Sequence, residues 1–262
     1  MISFTYAQLS AFLAGFVWPL ARVAALVTTA PILGNIGIPA RVKVLLALGV
    51  SLAAAPLAGT VPDVEPWSTE GLGILVQQVV IGAAMGLAMR MVFTMVDVAG
   101  ELVGLQMGLG FATFYDPLHA AHTPVIAQFL GLLTSLVFLS INGHLMMLSV
   151  LGESFRVVPI GAALPGGEAW MTMAQWGGKI FVSGLMLALP VVVALLITNV
   201  ALGILTRAAP QLNLFAVGFP VTILVGWLVL GVSLPALGPV LVQAFDEGLR
   251  MMLEPLALPA LP

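Results

Sequence analysis

A few charged and hydrogen-bonding side chains stand out in a chain that is otherwise apolar: Arg22, Arg90, Asp97 and Glu101, then Asp116, His119 and His122. The first four lie in or beside apolar runs. A charge inserted into hydrocarbon costs roughly 2.5–3.5 kcal/mol, so each is expected to have a partner. Asp97 and Glu101 are four residues apart and share one helix face. Two chemistries suit these types: ion pairing within the chain or between chains, and a proton relay across the membrane. Ion pairing of Arg22, Arg90, Asp97 and Glu101 is the preferred assignment. Asp116, His119 and His122 present an acid and two imidazoles, but Pro117 breaks the helix between them and no further ligand is near. They are read as the polar end of a loop, and no metal site is assigned. His144, after Asn142-Gly143, is read as a helix C-terminal stop, with Gly143 in the left-handed cap and the imidazole near the negative dipole end.

No arrangement for catalysis is present. The sequence has no P-loop, no G-x-S-x-G and no H-E-x-x-H, and Gly108-Leu109-Gly110 lacks the last glycine of a dinucleotide fingerprint. The cysteine count is 0, which removes disulfides, thiolate metal sites and cysteine nucleophiles. The expectation is a protein that is not an enzyme, with no catalytic residue and no cofactor.

The elements that must position these residues follow from composition. Of 262 residues, 61% are hydrophobic and 7% charged, and the mean hydropathy is +1.16. A soluble domain carries roughly 25% charged residues, so the class is an all-α integral membrane protein. A net charge of −3 with only 8 basic residues leaves no footprint for nucleic acid. The N-terminus lacks a basic segment and a small-residue cleavage site, so no removable signal peptide is expected.

About six hydrophobic helices are expected, over 9–33, 44–59, 72–95, 125–141, 178–205 and 214–242, with Pro190 interrupting the fifth. Residues 60–71 form an acidic, proline-rich loop. Residues 145–176 read as mixed, with Pro159, Pro165-Gly166-Gly167, Trp170 and Trp176 marking a loop with interfacial anchors. Loop charges place the odd-numbered connections in the cytoplasm and the N-terminus outside.

The stretch that departs from this pattern is 97–117, DVAGELVGLQMGLGFATFYDP. Gly100, Gly104 and Gly108 recur every fourth residue, and Gly82 and Gly86 do the same upstream. Small residues at this spacing form a groove into which another helix packs closely. Gly110 then loosens the helix, Phe111, Phe114 and Tyr115 crowd together, and Asp116-Pro117 stops it. Two further segments read as built turns. PILGNIGIPARVK (31–43) is a stiff bend ending on two cations. In RAAPQLN (207–213), Arg207 supplies a cation and Pro210 breaks the helix. Gln211 and Asn213 there offer amides to freed carbonyls or to a neighbouring chain.

Arg22 with PILGNIGIPARVK, GELVGLQMGLGFATFYDP, Asn142-Gly143-His144 and RAAPQLNLFAVGFP, in that order and spacing, resemble the FliR/SctT family of type III secretion export-gate subunits, with wording closer to its flagellar members. The resemblance covers essentially the whole chain. It implies a bacterial inner-membrane protein of the flagellar basal body, joined to FliP and FliQ in a conical core, with FlhB wrapped around it and FlhA beneath. It also implies a FliP-like helical part over 1–176 and a FliQ-like hairpin with its tail over 177–262. The family's pore is obstructed by a loop that aligns with about Gln106–His122. The resemblance therefore assigns Met107, Gly108, Gly110, Phe111, Phe114 and Tyr115 to a pore plug. That role suits the residue types, because a dry apolar constriction bars ions and because methionine and glycine keep a plug mobile. The exported polypeptides would pass unfolded. Competing readings are a virulence-type secretion gate and a small-solute secondary transporter with a midplane site at Pro190 and Pro220. Against the latter, the chain lacks paired, similar halves.

Overall fold

A computed structural model of the chain describes residues 6–59, 62–111, 124–209 and 214–257. Among the described residues every regular element is helical: α1 (Tyr6–Thr29), α2 (Ala40–Ala54), α3 (Thr69–Gln106), α4 (Val125–Ser140), α5 (Gly143–Val157), α6 (Gly167–Ala208) and α7 (Leu214–Met251). Short 3-10 turns follow α2, α3 and α7. Each hydrophobic segment read from the sequence falls on a helix. Four described segments, Ala40–Ala58, α3, α6 and the α7 region, are long and apolar enough to cross a membrane, and α4 with α5 form a broken pair that would make 5. The chain is an all-α membrane protein.

Four expectations need correction. Residues 72–95 were expected to end before the glycine-faced stretch, yet α3 runs unbroken for 38 residues. No proline interrupts it, and a helical glycine costs only about 1 kcal/mol, which close packing offsets. Pro190 does not interrupt the fifth segment: α6 continues through it for 42 residues. Proline removes one ladder bond, and long apolar helices tolerate that loss when freed carbonyls find other donors. The mixed stretch 145–176 is absent from the expected helices, yet its residues up to Val157 belong to α5. Met147, Leu151 and Phe155 recur every fourth residue and are buried along one face of α5. Finally, Asn142, not Gly143, takes the left-handed conformation (φ 58) and starts α5, so His144 sits in a first helical turn and not at a C-terminus.

The helices divide into two compact units. The first comprises Met1–Met91, Asn142–Gly177 and Phe245–Pro262. Its core gathers Trp18 and Leu26 of α1, Ile81, Met85 and Met89 of α3, and Met147 and Phe155 of α5, all buried. Between α1 and α2 the bend is tied at several points. The Asn35 side chain accepts from the Gly37 N–H at 2.8 Å, and Lys43 donates back to the Gly34 carbonyl at 2.9 Å. The second unit is Val92–Ile141 with Gly178–Ala244. There Val96, Ala99 and Val103 of α3 are buried with Ile126, Ala127 and Phe138 of α4, Val191 and Leu195 of α6 and Leu230 of α7. Edge-to-face ring pairs, Phe93–Phe138 at 5.6 Å and Phe129–Trp227 at 5.5 Å, knit it further.

Burial separates the long helices by role. The apolar window of α3 is 56% buried, against 22% for α6 and for the α7 region. Phe181, Met186, Ile197, Ile204, Leu224 and Leu228 point outward from α6 and α7. Those helices carry more exposed apolar surface than α3.

Candidate functional site

In the first unit the organising group is Arg22, fully buried on α1. Its Nε donates to Gln78 Oε1 at 2.8 Å. Nη1 donates to the Ser154 carbonyl at 2.9 Å and to Ser154 Oγ at 3.1 Å. Nη2 donates to the Val158 carbonyl at 2.8 Å, and the guanidinium lies 4.3 Å from the centre of the Phe155 ring. The expected carboxylate partner is thus replaced, among the described residues, by neutral acceptors. The reason is positional: Ser154 and Val158 lie at the C-terminal end of α5, where the aligned carbonyls carry about half a negative charge. One planar fork spans three elements, as an ammonium could not.

The network extends outward. The Ser154 hydroxyl donates to the Leu151 carbonyl at 2.6 Å. Gln78 donates to Gln77 at 3.3 Å, and Gln77 donates to the Ala162 carbonyl. Sequence reading missed Gln77, Gln78 and Ser154. The available signal was an adjacent glutamine pair inside an apolar helix.

The glycine faces position α3. A Cβ added at Gly82 would collide with the Arg22 carbonyl oxygen, and one at Gly86 with the Thr29 hydroxyl, so α1 and α3 touch at the backbone. In the second unit a Cβ at Gly100 would run into the Ala127 backbone of α4, while one at Gly104 would meet only ordinary contacts at 3.9 Å. Gly108 has φ +83, a conformation an L side chain resists, and faces the Phe219 ring of α7 at 2.6 Å from a built Cβ.

These contacts deliver the last turn of α3 to the aromatic stretch. Met107 is fully buried. Its carbonyl accepts from Thr222 Oγ1 at 3.2 Å, and its side chain fills the notch at Gly226, where a Cβ would lie 2.7 Å from Cγ. Met107 is therefore an anchor against α7, not a loose part of the loop. Leu109–Phe111 then forms one 3-10 turn containing Gly110. Phe114, Tyr115, Asp116, His119, His122, Pro210, Gln211 and Asn213 lie outside the described residues.

Arg90, Asp97 and Glu101 are exposed on α3, and Arg207 is exposed at the end of α6. Asp97 lies over Gly131 of α4, with Oδ1 3.6 Å from a Cβ built there. Among the described residues no three His, Cys, Asp or Glu side chains cluster to hold a metal.

Comparison with known proteins gives the arrangement its setting. The pattern of the family described as "Bacterial export proteins, family 1" matches residues 13–248. The flagellar biosynthetic protein FliR of Pectobacterium carotovorum is 43% identical over 249 residues, 94% of each chain. That of Escherichia coli K12 is 41% identical over 256 residues, 97% of each chain. A more distant relative with the same name, from Caulobacter vibrioides, is 30% identical over 228 residues, 87% of this chain and 91% of its own. With similarity running nearly end to end on a helical, membrane-competent chain, the protein belongs to the bacterial export proteins, family 1.

Proposed function

We propose that the chain is a membrane-embedded subunit of the flagellar type III export gate. In this reading it helps form the inner-membrane channel for unfolded flagellar proteins, and the loop from Gln106 to His122 closes that channel when idle. The observation that carries the reading is the near end-to-end similarity to flagellar FliR proteins. The geometry supports it in two ways. First, α6 and α7 expose apolar side chains that suit helices of sister chains; FliP and FliQ would be those chains, with FlhB and FlhA outside and beneath. The hairpin of α6 and α7 would be the FliQ-like part. Second, Met107 anchors the start of the loop, so the aromatics Phe111, Phe114 and Tyr115 would be held across the channel on a glycine-hinged tether, excluding water and ions. Glu101 and Arg207, both exposed, would pair with charges on those sister chains.

Deleting 110–115 tests the plug. The variant should still assemble with co-expressed FliP and FliQ, as measured by the mass of the intact complex, yet leak small ions in a conductance assay. Normal assembly with an unchanged leak would reject the plug; failure of the wild-type chain to join FliP and FliQ would reject the gate assignment itself.

A further inference from the structure

The end of α3 rests on one face of α7. Phe219, Thr222 and Gly226 are spaced i, i+3 and i+7 and so share that face. The ring of Phe219 closes over Gly108, and the notch at Gly226 takes the Met107 side chain. Between them the buried Thr222 reaches the Met107 backbone. Its Oγ1 stands 3.2 Å from the Met107 carbonyl and 3.1 Å from the Phe219 carbonyl, one turn back on its own helix. A threonine hydroxyl carries one proton, so the two carbonyls compete for it.

We infer that Thr222 is the positioning residue of the closing loop, a catch with two rest positions; the inference rests on the plug reading above. Donated to Met107, the proton holds the point where α3 ends and the loop begins. Carbonyls at a helix C-terminus fall outside the helix's own ladder and take donors of this kind. Donated to Phe219 instead, it lets the Met107 carbonyl go while the buried hydroxyl keeps an acceptor. That second acceptor matters, because a buried hydroxyl with none is penalised. Release therefore breaks one contact and strands no polar group on α7. One net hydrogen bond shifts an equilibrium by only about fivefold, which suits a part that has to let go and return.

Valine at 222 keeps the branched shape and removes the donor, whereas serine keeps the donor. Wild type, Thr222→Val, Thr222→Ser and the 110–115 deletion are compared, each in the complex with its co-expressed partner chains. Ion conductance, amide hydrogen exchange and melting temperature are read on all four. Thr222→Val should leak about fivefold more than wild type, the factor one net hydrogen bond supplies, and less than the deletion. Amide exchange over 107–110 should rise by the same factor while the upstream part of α3 is unchanged. Thr222→Ser should match wild type in both. A threonine with a merely structural role would lower the melting temperature and leave the gate closed. A deletion that does not leak removes the plug reading, and the catch with it. With a leaking deletion, three results overturn the catch alone: a Thr222→Val complex as tight as wild type, a Thr222→Ser complex as leaky as Thr222→Val, or a Thr222→Val chain that does not assemble.

Discussion

Replacing Gln78 with leucine should destabilise the first unit more than its single hydrogen bond suggests. The substitution leaves the Arg22 charge buried but takes away the acceptor of its Nε–H, a contact of 2.8 Å. A hydrogen bond to a charged group is worth about 1.5–3 kcal/mol, and a buried charge stripped of a partner sits at the upper end of that range. Taking about 2–3 kcal/mol, and about 2–4 °C per kcal/mol for a chain of this size, the melting temperature should fall by about 4–12 °C. Arg22→Leu acts differently. It orphans Gln78 Oε1 and the Val158 carbonyl, at about 1–3 kcal/mol each, but it also removes a desolvated cation whose burial is itself unfavourable by several kcal/mol. The double variant Arg22→Leu/Gln78→Leu should therefore be less destabilised than the two single variants summed, with a coupling of about 1–2 kcal/mol. Thermal melting of all four proteins in the same detergent measures it. Additive losses, or a Gln78→Leu protein that melts like wild type, would refute the view that neutral acceptors hold this charge.

Three further outcomes follow from α3 and α7. Gly100→Ala should lower the melting temperature, because its Cβ meets the Ala127 backbone, while Gly104→Ala should leave it unchanged or raise it, since only contacts at 3.9 Å await it; overpacking of the first kind costs about 1–3 kcal/mol. Gly108→Val should lose about 1–3 kcal/mol from strain at φ +83, read by the same melting assay. Gly226→Leu should push Met107 from its notch, where the clearance is 2.7 Å, and in the assembled gate should produce an ion leak smaller than that of the 110–115 deletion; a fully closed Gly226→Leu gate would count against Met107 as the anchor.

How much of this was legible in the sequence depends on which physical signal each feature leaves. Helix-helix contact leaves a period: Gly82 with Gly86, and Gly100 with Gly104, are spaced as a small-residue face, and both faces meet backbone or side chain of a neighbouring helix. Helix length leaves a poorer trace. Average hydropathy drops where Asp97 and Glu101 occur, which suggests an end, but those carboxylates are exposed while the residues between them, Ala99 and Gly100, are buried, so the helix continues with one wet or partner-facing edge. The helix break at Asn142-Gly143 is readable, but not which residue takes the positive φ, because asparagine tolerates it nearly as well as glycine. The buried Gly143 keeps an ordinary helical role. Hardest of all was the Arg22 site. A lone arginine in an apolar run announces a partner, and the usual expectation is an acid. That a helix C-terminus 132 positions away supplies the carbonyls is a tertiary fact with no local pattern.

The two sites differ in a way that bears on gating. Arg22 ties three elements by hydrogen bonds without an obligatory counter-charge, so it needs no exchange of ions with solvent or with another chain and acts as a fixed rivet. The end of α3 combines fixity with a release point only a residue apart. Met107 is held at its carbonyl by Thr222 and at its side chain by Gly226, whereas Gly108 turns the backbone into the positive-φ region that few other residues enter without strain. In the proposed gate, a loop that swung aside for an unfolded polypeptide and returned would have to leave its parent helix in place. In that proposal, the buried Met107 directly before the positive-φ Gly108 would keep such movement out of α3. Stiffening Gly108 and loosening Met107 should thus have opposite signatures: the first impairs folding at the turn, the second leaves a folded protein with a poorly seated closure.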